Sequence, residues 1–173
     1  RQLLGHVTLV EELNRLKPEI LEKLGQDRGR AVVTYLQFAI DKCLDYNSKQ
    51  TRWHYQRGTI VNTFARHDYS LKWTFGEMIF CGVYSGFAWG LNQVRDSYNG
   101  MASLVSGMKG KNPNLRLING TASHIPVVED NSVDLICMDP PYYNNVQYSE
   151  LSDYFYVWDK RTLFDLYPDY FKR

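Results

Sequence analysis

Leu9, Val10, Leu13, Leu16, Ile20 and Leu24 recur three and four positions apart, the spacing that lines apolar side chains along one face of a helix. Thr8 stands where a cap would open that helix, and Gly25 where a glycine would close it. Pro18 falls inside the run and predicts a kink or a division into two short helices. Residues 28–46 predict a second helix. There Val32, Leu36, Ala39, Ile40 and Cys43 share one face, while Arg30, Gln37, Asp41 and Lys42 lie largely away from it. Together these segments predict an antiparallel helical pair. A further helix is expected over 86–106, with Phe87, Leu91, Val94, Tyr98, Met101 and Val105 as a single buried stripe.

The texture changes after Gly107, Gly110, Asn112, Pro113 and Asn114, which mark a loop. Residues 115–118 and 133–138 are short apolar runs separated by a polar stretch carrying Glu129 and Asp130. Two such runs predict adjacent parallel strands of an open α/β sheet. A last helix near 147–162 puts Tyr148, Leu151, Phe155 and Trp158 on one face, more suited to packing than to base binding. Glu150 and Asp153 fall on another, solvated face. The expected organisation is a mostly helical part over 1–110 and an α/β part over 111–173.

Between the helical pair and the third helix, residues 47–83 follow no period. Lys49, Arg52, His54, Arg57, Arg66, His67 and Lys72 interleave with Trp53, Tyr55, Phe64, Tyr69 and Trp73. Cations mixed with rings suit a phosphate backbone and stacked bases, which makes Arg52, Arg57 and Arg66 candidate DNA contacts. The commoner role is an irregular surface segment with its rings anchored in the core.

Composition narrows the classes. Hydrophobic residues make up 44% and charged residues 23%, which argues for a folded domain over a disordered chain. The net charge is +1, so any attraction to nucleic acid must be local rather than global. Cys43, Cys81 and Cys137 are far apart and contain no C-x-x-C pair, which excludes a zinc ribbon or a disulfide framework and fits a cytoplasmic setting; no metal is expected. No apolar run approaches membrane-spanning length. The chain starts at Arg1 and stops just after a helical pattern, and is read as an internal piece of a longer protein.

Chemistry enters at Asp139-Pro140-Pro141-Tyr142, directly after the second predicted strand. Ligands of open α/β sheets bind beyond the carboxyl ends of the strands. The two prolines stiffen the loop and remove its donors. A carboxylate at Asp139 and the carbonyl of Pro140 can each accept one N–H of an exocyclic amine. That pairing favours a pyramidal nitrogen whose lone pair can meet a sulfonium methyl group, and the carboxylate stabilises the growing positive charge. Tyr142 offers a flat face to a base taken out of the duplex. Tyr143 and Asn144, just past the motif, are candidates for contact with that base or its neighbours. A rigid turn after a strand is the competing role for the tetrapeptide.

The stretch D-P-P-Y-Y-N-N-V-Q-Y-S-E-L-S-D-Y-F-Y-V-W at 139–158 resembles the large prokaryotic adenine-specific DNA methyltransferases that carry a zinc-ribbon insertion. D-Y-N-S-K-Q-T-R-W-H (45–54), N-T-F-A-R (62–66) and K-W-T-F-G-E (72–77) resemble the same family. The resemblance implies a Rossmann-like methyltransferase fold, of which this chain would be a fragment. It also implies S-adenosylmethionine as methyl donor, an adenine of double-stranded DNA as acceptor, and a place among proteins of a modification or phage-defence locus.

Two departures qualify it. The family's glycine-rich cofactor loop is missing, since Gly82, Gly86 and Gly90 sit in or beside a helical pattern, and so are the zinc-ribbon cysteines. Truncation on the N-terminal side would explain both, and the piece is expected to be inactive alone. The loop after the first predicted strand reads Gly120-Thr121-Ala122-Ser123 where such enzymes often carry an acidic residue. Thr121 and Ser123 are candidates for hydrogen bonds to the cofactor, with a plain strand-to-loop cap as the equal alternative. Two other functions fit the motif: a guanine-N2 RNA methyltransferase, and a non-catalytic nucleic-acid-binding module with a methyltransferase-like sheet.

Overall fold

The computed structural model describes residues 1–67, 72–106, 118, 120–143 and 145–172. Helix α1 (Gln2–Asp45) is broken once, at Gly25, where φ is 74° and ψ 170°. L-residues other than glycine seldom adopt that conformation, so the expected stop is real. The break folds the helix into two antiparallel arms. Gly29 backs onto Ile20 and Leu21 near the bend. At the open end His6 Nε2 lies 3.2 Å from the Asn47 carbonyl, and Gln2 Nε2 donates to the Ser48 carbonyl at 3.3 Å. Pro18 sits within the first arm, and the helix breaks at Gly25 instead. Thr8 caps nothing: its hydroxyl donates back to the Leu4 carbonyl at 2.9 Å inside the helix. Gly25→Ala is expected to lower stability by about 1–3 kcal/mol, read as a drop in melting temperature. No atom crowds that position, so the loss would come from the backbone alone.

Helix α2 (Gly86–Ser106) covers the predicted segment and crosses the second arm of α1, with Gly90 against Ala39 and Tyr35 edge-on to Tyr98 at 5.5 Å. Its stripe is only half covered. Met101 and Val105 are 52% and 58% exposed, because the last turns of α2 have no partner among the described residues. Helix α3 (Tyr148–Leu163) returns to α1 and completes the core, in which Leu13, Val33, Ile40, Leu44, Leu163 and Phe171 form one cluster. Phe155 and Trp158 pack against it, as the apolar face predicts; Tyr154, off that face, joins them, and Tyr148 stays 49% exposed. Lys17 reaches Asp165 at 2.7 Å, and the Tyr154 hydroxyl donates to the Leu44 carbonyl at 3.1 Å.

The expected Rossmann-like α/β sheet is overturned. The described residues are mostly helical, and their sheet is a single antiparallel pair, β1 (Arg52–His54) with β2 (Thr59–Val61). Residues 133–138 form no strand, and Val133, Leu135, Ile136 and Met138 are each more than half exposed. Of the first predicted strand only Ile118 is described, and it is in no strand; 115–117, with the preceding loop 107–114, lie outside the described residues. An apolar run becomes a central strand only where neighbours take up its N–H and C=O groups. Here the chain from 120 to 132 closes short turns on itself, with His124 bonded to Thr121, Val128 to Ile125 and Ser132 to Glu129, and offers no such edge.

Candidate nucleic-acid interface

The C-terminus of α1 roots the basic–aromatic segment through a polar knot. The Asp45 carboxylate accepts from Asn62 Nδ2 at 3.0 and 3.2 Å and from the Phe64 amide at 3.4 Å. The Thr63 hydroxyl donates to the Asp45 carbonyl at 2.7 Å, and that of Thr51 to the Gly76 carbonyl at 2.6 Å. These bonds hold the β1–β2 hairpin upright. Its pairs run Arg52 with Val61, Trp53 with Ile60 and His54 with Thr59. A 3-10 turn (Tyr55–Arg57) joins the strands and ends at Gly58 with φ 58°. The Arg57 amide donates to His54 Nδ1 at 3.2 Å, which leaves the proton of a neutral imidazole on Nε2.

The hairpin shows its rings to solvent. Trp53 is 60% exposed and Tyr55 89%, while Trp73 and Tyr84 nearby are 95% and 93% exposed. Phe64 is different: it packs on Tyr154 and Phe155 at 5.3 Å, as a core anchor. The three candidate arginines divide. Arg52 and Arg66 border one small cleft together with Lys72, and Arg57 borders a separate, larger cavity. Replacing all three with glutamine is expected to reduce the slope of log affinity against log salt by up to about 0.9 per lost phosphate contact. An unaltered slope would assign them to packing.

The larger cavity has a volume of about 580 Å³ and lies between the hairpin, residues 77–79 and the start of α2. Its aromatic walls are Tyr46, Trp53, Tyr84 and Trp89. Tyr46 and Trp89 meet edge to face at 5.0 Å, and Lys42 Nζ stands 5.4 and 5.3 Å from their ring centres. Burial, and then the neighbouring Asp45 carboxylate, raises the Tyr46 phenol above its ordinary pKa. Glu77, also on the wall, is paired with Arg1 at 2.7 Å.

The motif stands apart from this cavity. Asp139, Pro140, Pro141 and Tyr142 lie in an exposed irregular stretch ahead of α3, with Tyr142 70% and Tyr143 96% exposed. Asn144 lies outside the described residues. The hydroxyls of Thr121 and Ser123 bond to each other at 2.9 Å, and the Ser123 amide donates to Thr121 Oγ1 at 3.3 Å. Both residues are exposed, and these bonds close the loop on itself. That arrangement does not fit a bound S-adenosylmethionine, which would need a concave, partly apolar site. Among the described residues no group of three His, Cys, Asp or Glu side chains could hold a metal.

Three comparisons place none of this in a known group. No family model, curated protein or solved structure matches the chain. Among the described residues no helix is long and apolar enough to cross a membrane.

Sequence reasoning passed over Tyr46, Tyr84 and Trp89. Trp89 carried a usable signal, as a large ring set off the apolar stripe of an amphipathic helix. It also passed over a half-buried acidic pair. Asp41 on α1 and Asp159 on α3 face each other where the two helices meet, and Gln37 Nε2 donates to Asp41 at 2.8 Å. Burial, then the Asp159 charge, raises Asp41 to about 8. Burial also raises Asp159, against hydrogen bonds from Asp41 and Gln37 that lower it, and its Oδ1 is left without a partner.

Proposed function

We propose that the chain is the target-base-handling part of a DNA adenine N6-methyltransferase. What carries this reading is the Asp139-Pro140-Pro141-Tyr142 sequence, with the Tyr142 ring open to solvent upstream of a helix, α3, that packs on the core. In this reading the Asp139 carboxylate and the Pro140 carbonyl accept the two N–H hydrogens of the adenine amino group. The carboxylate offsets the charge that grows on nitrogen, and Tyr142 stacks on the base, which recovers about 1–3 kcal/mol of the energy of flipping it. The resemblance implies S-adenosylmethionine as methyl donor. Because Thr121 and Ser123 are exposed and bonded to each other, no step is assigned to the donor here. Cytoplasmic location, double-stranded DNA and proteins of a modification or defence locus as partners belong to the same proposal.

A second reading has its own support. The rooted hairpin, with exposed rings beside arginines, suits nucleic-acid binding without catalysis. Incubating the protein, expressed from its whole reading frame, with labelled S-adenosylmethionine and either duplex DNA or tRNA separates the readings. The first expects N6-methyladenine in the DNA. Methylguanine in the tRNA would make the protein an RNA enzyme, and retention of DNA without any methyl transfer would leave the binding module.

A further inference from the structure

We propose that the 580 Å³ cavity beside the hairpin binds one unstacked nucleobase of an unpaired DNA strand, with that nucleotide's phosphate on Arg57. The volume falls in the range of small-molecule sites, and four aromatic residues wall it. Flat heteroaromatic rings are the ligands such walls favour, since every base offers a π-face whatever its sequence. Two polar groups on the same wall already donate, Asn62 Nδ2 to the Asp45 carboxylate and the Ser85 hydroxyl to the Ile79 carbonyl at 2.9 Å, so towards the edge of a base they can only accept.

Charge selects among aromatic and cationic ligands. Four rings with a glutamate would otherwise suit a quaternary ammonium group. Here Glu77 already pairs with Arg1, and Lys42, outside the lining, already stands over Tyr46 and Trp89. Arg57 adds a further cation at the rim. The site therefore favours an aromatic ligand that carries negative charge, which describes a nucleotide. A base inside a duplex cannot enter a concavity, so the strand must be unpaired there. That the strand is DNA rests on the function proposed above; the base and phosphate chemistry does not.

The purine nucleoside of a cofactor shares part of this chemistry, so the test has an arm for each source. Tryptophan fluorescence of the whole protein is titrated with a short single-stranded oligodeoxynucleotide, an abasic strand of equal length, and S-adenosylhomocysteine. Trp53 and Trp89 line the cavity, so occupancy quenches them. The base-bearing strand is expected to bind about tenfold or more tighter than the abasic one. Trp53→Ala should erase that difference, and Arg57→Gln should weaken both strands and lower the salt slope by about 0.7. Tyr84→Ala, at a 93% exposed ring, gives a second variant with little to lose in folding. Equal binding of the two strands overturns the proposal. So does saturation by S-adenosylhomocysteine that no strand displaces. The titration needs no turnover, so it can fail while Asp139-dependent methyl transfer persists, or succeed where methyl transfer is absent.

Discussion

Asp139→Ala in the whole protein is expected to lower methyl transfer to adenine by about 10²–10³-fold while DNA affinity stays nearly constant. The size follows from the role. A preplaced group that meets charge only as it develops contributes little to ground-state binding and about 2.7–4 kcal/mol to the barrier. Affinity for duplex DNA comes chiefly from cations on phosphates, and Asp139 is not among them. Asp139→Asn should fall between wild type and alanine, since it keeps one acceptor oxygen and loses the charge. Turnover that survives Asp139→Ala would end the catalytic assignment, and a parallel fall in DNA affinity would indicate a folding defect instead.

The second large effect concerns stability. Asp41 holds its proton up to about pH 8 in the folded chain, while an unfolded aspartate releases it near 3.9. The folded state therefore binds more protons across that window. Its stability contribution is complete below about pH 4 and is lost as pH rises towards 8. The raised pKa of Asp159 acts in the same direction. Asp41→Asn keeps the shape, still accepts from Gln37, and can donate an amide N–H towards Asp159. Wild type and variant should unfold alike near pH 4. The variant should gain about 2–5 kcal/mol relative to wild type by pH 8, seen in denaturant midpoints taken across the range. Parallel pH profiles for the two proteins would show that Asp41 does not carry this proton.

Periodicity made the helices legible. Leu13 and Ile40 are core as their helical spacing predicts, and Gly25 ends an arm because its backbone conformation excludes other residues. The second arm is turned from its predicted face, with Val33 and Gln37 buried and Val32 37% exposed, because both α2 and α3 pack on it. The run at 133–138 misled for a physical reason. A helix satisfies its own backbone, whereas a strand is defined by neighbours that the local sequence does not contain. The acidic pair was hidden differently. Asp41 looks like a polar residue on an outer face until α3 arrives from the far end of the chain and covers it. The hairpin showed its chemistry in the sequence but not its form, because three-residue strands with a 3-10 turn leave too short a pattern to read. Of the candidate site, the residue types at 139–142 were plain from the start; that they do not line the aromatic cavity was not.

Helices α2 and α3 both dock on α1, so the chain between them joins two points held on one scaffold. The entropy of joining two such points grows only logarithmically with the length of chain between them, by about 0.6 kcal/mol for each doubling. Inserted or exchanged segments there would leave the helical scaffold nearly as firm as before. The part of the molecule that carries Asp139 can thus change in sequence without altering how the rest folds.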